Sequence, residues 1–352
     1  MRIKGFLARK EIEISVKRYG IDALGAMAQG LFASLLIGTI IGTLGEQLHV
    51  EILVSIGNYA KAATGPSMAV AIGWALKSPF LVLFSLIAVG QAANSLGGAG
   101  GPLAVYFAAI AAAEAGKLVS KETKIDIIIT PFVTIAAGAL FSLFAAPWIG
   151  AAASATGQAI MWATELQPFL MGVGISVIVG MMLTLPVSSA AICAALNLMG
   201  LAGGAAVAGC CAQMIGFAVM SFKENRFGGL LAQGIGTSML QMGNIIRNPR
   251  IWIPPTVAAA ITGPLATCLF KLQMNGAAIA SGMGTCGLVG QIGVYTGWVN
   301  DVSQGLKPGI AAFDWLGLGL ICFALPALLT PLIALPLRRT GWIRDGDLAL
   351  NL

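Results

Sequence analysis

Polar residues inside the apolar stretches of this chain are almost all carboxamides and hydroxyls: Gln91, Asn94, Gln213, Gln233, Gln241, Asn244, Asn275, Thr285 and Gln291. An Asn or Gln side chain offers two donors and an acceptor without charge, which suits a neutral, hydroxyl-rich ligand better than an ion. Gln241 and Asn244 fall in a glycine-rich interruption at 234–244 (GIGTSMLQMGN), and Thr285 and Gln291 in a second at 275–291 (NGAAIASGMGTCGLVGQ). Irregular backbone at membrane depth persists only where protein buries it or it lines a watery cavity. Interrupted apolar segments are therefore the best sequence pointer to a transporter's binding site. Gln241, Asn244, Thr285 and Gln291 form the expected substrate-binding group, with Asn94 and Gln213 as further candidates. The competing reading for any one of them is helix-to-helix hydrogen bonding, worth about 0.6 kcal/mol per contact.

Other chemistry has little to work with. There is no Walker loop, GxSxG elbow, HExxH pair or plausible triad. The single histidine, His49, lies in a polar segment between Glu46 and Glu51, and the six cysteines sit in apolar stretches with no CxxC. No catalytic residue, metal ligand or cofactor is expected. Glu114, Asp126 and Glu224 each have basic neighbours at the end of an apolar run, and Asp22 and Asp314 stand where helices begin, favouring the positive end of the dipole.

The elements that must position these residues follow from composition. Of 352 residues, 57% are hydrophobic and 10% charged, and the mean hydropathy is +0.88, which describes a polytopic all-α membrane protein. The net charge of +6 resides in Lys and Arg at the ends of apolar runs, a distribution that sets membrane orientation and gives no reason to expect a nucleic acid partner. Ten crossings are expected, at 22–44, 53–76, 79–96, 102–117, 125–148, 168–186, 187–200, 201–222, 251–273 and 311–337. Lys77, the cluster Lys117/Lys121/Lys124, Lys223/Arg226, Arg247/Arg250 and Arg338/Arg339/Arg344 then share the inner side. The outer segments 45–51, 149–167 and 299–307 hold one basic residue, Lys307. Both termini are expected in the cytoplasm, and the two interruptions become re-entrant hairpins, 230–246 from inside and 275–295 from outside. The expected organisation is a cytoplasmic interfacial amphipathic segment at 1–20 and an N-terminal transmembrane scaffold at 21–165. A C-terminal transmembrane half with the hairpins and solute site follows at 166–340, then a cytoplasmic tail at 341–352. Trp148, Trp162 and Trp298 suit an interfacial belt or a subunit contact.

Four stretches carry a family resemblance: Ile251-Trp-Ile-Pro-Pro-Thr256, Gly263-Pro-Leu-Ala-Thr267, Gly282-Met-Gly-Thr-Cys-Gly-Leu-Val-Gly-Gln291 and Gly234-Ile-Gly-Thr-Ser-Met-Leu-Gln241. Over about residues 15–340 the chain resembles the enzyme IIC-like membrane family of the bacterial phosphoenolpyruvate:sugar phosphotransferase system. The nearest branch also contains proteins labelled perfringolysin O regulators. The resemblance implies a glucose-superfamily fold of about ten transmembrane helices with two re-entrant hairpins. It also implies a homodimer in the bacterial inner membrane, with lipid around it and a sugar site beside the hairpins. In sugar-transporting members a glutamate in the second hairpin and a histidine near the first contact the sugar hydroxyl that becomes phosphorylated. Here the second hairpin reads Gly282-Met-Gly-Thr285-Cys-Gly and the first has no histidine nearby. Neither the arm before residue 20 nor the tail after Leu337 can hold a phosphate-carrying domain, so a separate IIB protein on the cytoplasmic face would supply any phosphorylation. The expected function is a permease for a sugar or polyol. The alternatives are a membrane sensor that keeps the ligand site without transporting, and an ion-coupled carrier of an organic anion, which the few intramembrane carboxylates disfavour.

Overall fold

The structure is a computed structural model, and it describes residues 2–350. The described residues are helical or irregular, with one isolated antiparallel bridge between Gly200 and Met274. In order, the helices are α1 (Arg2–Arg9), α2 (Lys17–Leu48), α3 (Glu51–Ala62), α4 (Thr64–Ala75), α5 (Phe80–Gly97), α6 (Gly101–Val119) and α7 (Asp126–Thr164). Then come α8 (Pro168–Thr184), α9 (Ser189–Ala195), α10 (Gly200–Met220), α11 (Phe222–Leu231), α12 (Met242–Arg247), α13 (Pro249–Leu269), α14 (Val289–Ser303) and α15 (Ala312–Arg339). Among the described residues six helical stretches are long and apolar enough to cross a membrane, and one of these, Phe80–Val119, is the α5–α6 pair. It turns back on itself where Gly98 takes φ +50°, and its two limbs pack on each other.

Several of the expected crossings take another form. The stretch 187–200 holds only the seven-residue α9, about 10 Å long at the helical rise, and so cannot span the bilayer. Asn197 (φ +48°) and Gly200 (φ +63°) break the helix after it. The crossing at 53–76 is two helices, α3 and α4, hinged at Ala63. Helix α7 runs unbroken to Thr164, about 58 Å, so residues 149–164 continue the helix instead of forming an outer loop. Pro131 and Pro147 lie within it. The first span begins at Lys17, five residues earlier than hydropathy alone suggests, because the Arg18 side chain is buried and donates to the Leu76 carbonyl at 2.7 Å.

The chain divides into two compact units inside α7, one ending at Ala153 and the other beginning at Ser154. In the first, α4 packs against α2, α5 and α6, and α3 against the second half of α2. The ends of α1, α4 and α6 meet, each followed by a residue in the left-handed region: Glu11, Lys77 and Lys121. Helix C-termini carry unpaired carbonyls and partial negative charge. The local lysines answer both: Lys117 Nζ donates to the carbonyls of Glu11 (3.1 Å) and Leu76 (3.0 Å) and to the Glu114 carboxylate (2.8 Å). Lys10 Nζ donates to the Ser120 carbonyl. Glu122 pairs with both Arg9 (2.8 Å) and Lys10 (2.5 Å), and the Lys10 hydrogen bond, helped by Arg9, holds its carboxyl below the usual carboxylate range.

In the second unit α10 is the spine. Its most apolar stretch is 89% buried, and α8, α13 and α15 pack around it. Glycines let these helices touch along their backbones. A methyl on Gly180 of α8 would lie 2.7 Å from the Gly209 carbonyl oxygen, and one on Gly209 would run into the Ser176 carbonyl. Trp298 is 3% exposed and packs edge-on against Trp315, so it belongs to the core of this unit and not to an interfacial belt.

Candidate functional site

Two interruptions in the second unit lie beside the spine. The first follows α11 as a helical turn at Ala232–Gly236, an extended Thr237 and a 3-10 turn at Ser238–Gln241 before α12. The second runs irregularly from Phe270 to short turns at Ala278–Gly282 and Cys286–Leu288, then enters α14. Gly284 (φ +54°), Gly287 (φ +53°) and Leu288 (φ +59°) take left-handed conformations that stop a helix from forming there. The Gly284 position also requires a residue without a side chain, since a methyl would lie 2.6 Å from Cys210 Cβ of α10. The two interruptions meet where Ala232–Gly236 packs beside Cys286–Leu288.

The expected site residues separate into distinct settings. Gln213 is fully buried and satisfied within the helix bundle. Its Nε2 donates to Thr256 Oγ1 (3.2 Å), and its Oε1 accepts from Trp252 Nε1 (3.0 Å) and Thr184 Oγ1 (3.4 Å). It holds α8, α10 and α13 together. Asn94 belongs to the first unit, half-buried near the end of α5, with its Oδ1 facing Gly101.

Gln241 and Asn244 form one continuous amide chain with Gln233. Gln233 Nε2 donates to Ser221 Oγ (2.9 Å) and the Gly229 carbonyl (3.0 Å). Gln241 Nε2 donates to Gln233 Oε1 (2.9 Å) and the Leu348 carbonyl (3.0 Å). Asn244 Nδ2 donates to Gln241 Oε1 (2.8 Å) and the Ala349 carbonyl (2.9 Å). The donors of both residues are thus taken up by protein, half of them by residues 348–349. The tail expected from 341 onward packs back on this region: Ile343 (2%) and Leu348 (0%) are buried with Phe217, Ile245 and Ile251. The signal available in the sequence was the apolar pair Trp342-Ile343 and the run Leu348-Ala-Leu350 on either side of Arg344-Asp-Gly-Asp347.

Thr285 and Gln291 differ, because both face α10 with poor partners. Thr285 is fully buried, and its hydroxyl reaches only the thioether of Met214 at 3.5 Å. Gln291 Nε2 meets the Cys211 sulfur at 3.2 Å, and its carbonyl oxygen is buried with no partner. Sulfur is a weak acceptor, and a buried unpaired carbonyl costs about 1–3 kcal/mol. Met214 and Cys211 sit three residues apart on α10 and so share a face. Thr285 and Gln291 are thus brought to one side of the spine, and no hydrogen bond among the described residues joins them to Gln241 or Asn244. Sequence reasoning overlooked the opposing Cys211 and Met214, which look like ordinary packing residues in an apolar helix.

His49 is exposed between α2 and α3 of the first unit, in the left-handed region. Among the described residues no group of His, Cys, Asp and Glu is arranged to hold a metal.

The family model described as phosphotransferase system, EIIC, matches residues 21–350. No curated protein and no solved structure gives a match. The matched region takes in every long apolar helix from α2 onward and both interruptions, and such a chain is a multi-pass protein of the inner membrane. The chain belongs to the EIIC family, the membrane-embedded sugar permease component of the phosphotransferase system.

Proposed function

We propose that this chain binds a neutral, hydroxyl-rich solute, a sugar or polyol, against the second interruption and carries it across the membrane. Supporting this reading above all is the buried, unpartnered carbonyl of Gln291 beside Thr285, whose hydroxyl has only a thioether. A solute hydroxyl donating to Gln291 Oε1 and accepting from Thr285 Oγ1 would satisfy both groups. A carboxylate or phosphate offers acceptors only and would leave that carbonyl unpaired.

In this reading both interruptions are re-entrant hairpins and both termini are cytoplasmic. The basic turns around Lys117–Lys124 and Lys223–Arg226 then face the cytoplasm, and a separate IIB protein would dock on one or the other. The protein works as a homodimer surrounded by lipid. Its 21–165 half is the scaffold, and the hairpin-bearing 166–340 half moves against it by a rocking or elevator-like motion. Gln241 and Asn244 remain reserve contacts.

The test is the melting temperature of the purified protein against a panel of sugars, polyols and sugar acids, because a ligand that binds only the folded state raises it. A selective, saturable rise for one neutral solute is expected. Thr285→Ala and Gln291→Ala should each weaken its binding more than tenfold. An unchanged affinity in folded variants would remove these two residues from the site.

A second reading rests on one further observation. Thr285 occupies the stretch in which sugar-transporting relatives of the resembled family carry a glutamate, and His49 lies in an exposed inter-helix turn. A membrane sensor that keeps the ligand site would need neither group. Solute accumulation in vesicles that depends on this protein would exclude it.

A further inference from the structure

Residues 341–350 are held by an unusual set of contacts. Four carboxamides donate to this segment: Asn225 to the Leu348 carbonyl (2.8 Å), Gln241 to the same carbonyl (3.0 Å), Asn244 to the Ala349 carbonyl (2.9 Å) and Asn248 to the Trp342 carbonyl (2.8 Å). The Leu350 amide donates back to Asn225 Oδ1 at 2.8 Å. Asn225 lies on α11, before the first interruption, whereas Gln241, Asn244 and Asn248 lie at or beyond its far end. The segment therefore ties both limbs of that interruption together and takes up donors of Gln241 and Asn244.

Its anchoring is mixed: Asn248 also donates to Asp347 Oδ2 (2.7 Å), and the Arg250 guanidinium lies over the Trp342 ring (4.9 Å). Only Ile343 and Leu348 go deep into the apolar cluster. The acidic side chain Asp345 pairs with Lys223 (2.8 Å), both about 70% exposed, and with Arg338 (3.4 Å). Exposed pairs of this kind contribute little and are screened by salt. Gly341 (φ +74°) and Gly346 (φ +93°) take left-handed conformations on either side of the turn at 342–345.

We propose that residues 341–350 are a latch on the first interruption, whose release frees Gln241 and Asn244 and lets the two limbs move. The proposal rests on the reading that the second unit carries the solute.

The first test needs no solute. Amide hydrogen exchange is compared between the intact protein and a form lacking residues 341–352, with Leu348→Gln as a second variant should the shortened chain fold poorly. The latch requires exchange across 229–247 to rise at least tenfold while α8 and α10 keep their protection. Unchanged exchange at 229–247, or a loss of protection that extends through α10, would overturn it, the latter showing a tail needed only for folding.

The second test locks the segment. Asn225→Cys with Leu350→Cys, in a Cys268→Ser background because Cys268 is the exposed native thiol, is bridged by a short reducible linker. Uptake of the solute identified by melting should fall at least tenfold and return on reduction. Uptake at the unlocked rate would overturn the latch. If no solute is ever found, the exchange result still decides whether the latch exists, so the two readings fail separately.

Discussion

At the scale of single residues, the most telling atom is the carbonyl oxygen of Gln291, buried without a partner. Proteins seldom leave such groups unpaired, and each one needs a reason, of which a water, an ion or a bound solute is one. A consequence follows for stability. Gln291→Met keeps the volume, removes the unpaired carbonyl and loses only a weak contact to Cys211. The variant should be more stable than the native protein without ligand by about 1–3 kcal/mol, the cost of an unpaired buried acceptor, and should no longer respond to the solute. Chemical denaturation of both forms checks this, and a destabilised Gln291→Met would show that the carboxamide serves packing. Sequence reasoning nominated Thr285 and Gln291 from their setting alone, as polar groups in a glycine-rich interruption. It did not separate them from Gln213, because a satisfied and an unsatisfied buried amide look alike until their neighbours are known.

At the scale of elements, the second unit depends on helices that touch along their backbones. The contact of Gly209 with Ser176 is the closest of these, and the carbonyl it meets is backbone that cannot turn aside. Gly209→Ala should force α8 and α10 apart, lowering stability by about 1–3 kcal/mol, as overpacking typically does. Gly228→Ala, where a methyl meets nothing, is the control for helix propensity. Melting curves in one detergent decide, and equal melting temperatures would contradict the packing described for α8 and α10. Long elements such as α10 and α13 were legible from apolar run length. The seven-residue α9, the hinge at Ala63 and the extension of α7 to Thr164 were not. Hydropathy reports how much apolar chain is present, whereas backbone breaks at Ala63 and Asn197 depend on local conformation that no apolar count contains. The docked tail was hidden for a related reason: its carbonyl acceptors belong to the backbone, which every sequence has.

At the scale of the whole molecule, a helical membrane protein of the EIIC family presents two compact units joined through one long helix. Basic residues cluster within each unit. Lys10, Lys77, Lys117 and Lys121 gather around the ends of α1, α4 and α6, and Lys223, Arg250 and Arg338 contact the C-terminal segment or its neighbours. The unit that carries Thr285 and Gln291 has hydrogen-bonding capacity without charge at its spine, as a carrier of neutral solutes requires. In the proposed function such a solute crosses the membrane through this chain. Counterflow in proteoliposomes tests it most directly: vesicles holding the purified protein are loaded with the solute found by melting, then diluted into a trace of labelled solute. Transient accumulation of label is expected with the native protein and at least a tenfold smaller overshoot with Gln291→Met. A protein that binds the solute yet gives no overshoot would contradict the permease and leave the sensor, and an undiminished overshoot with Gln291→Met would contradict the site.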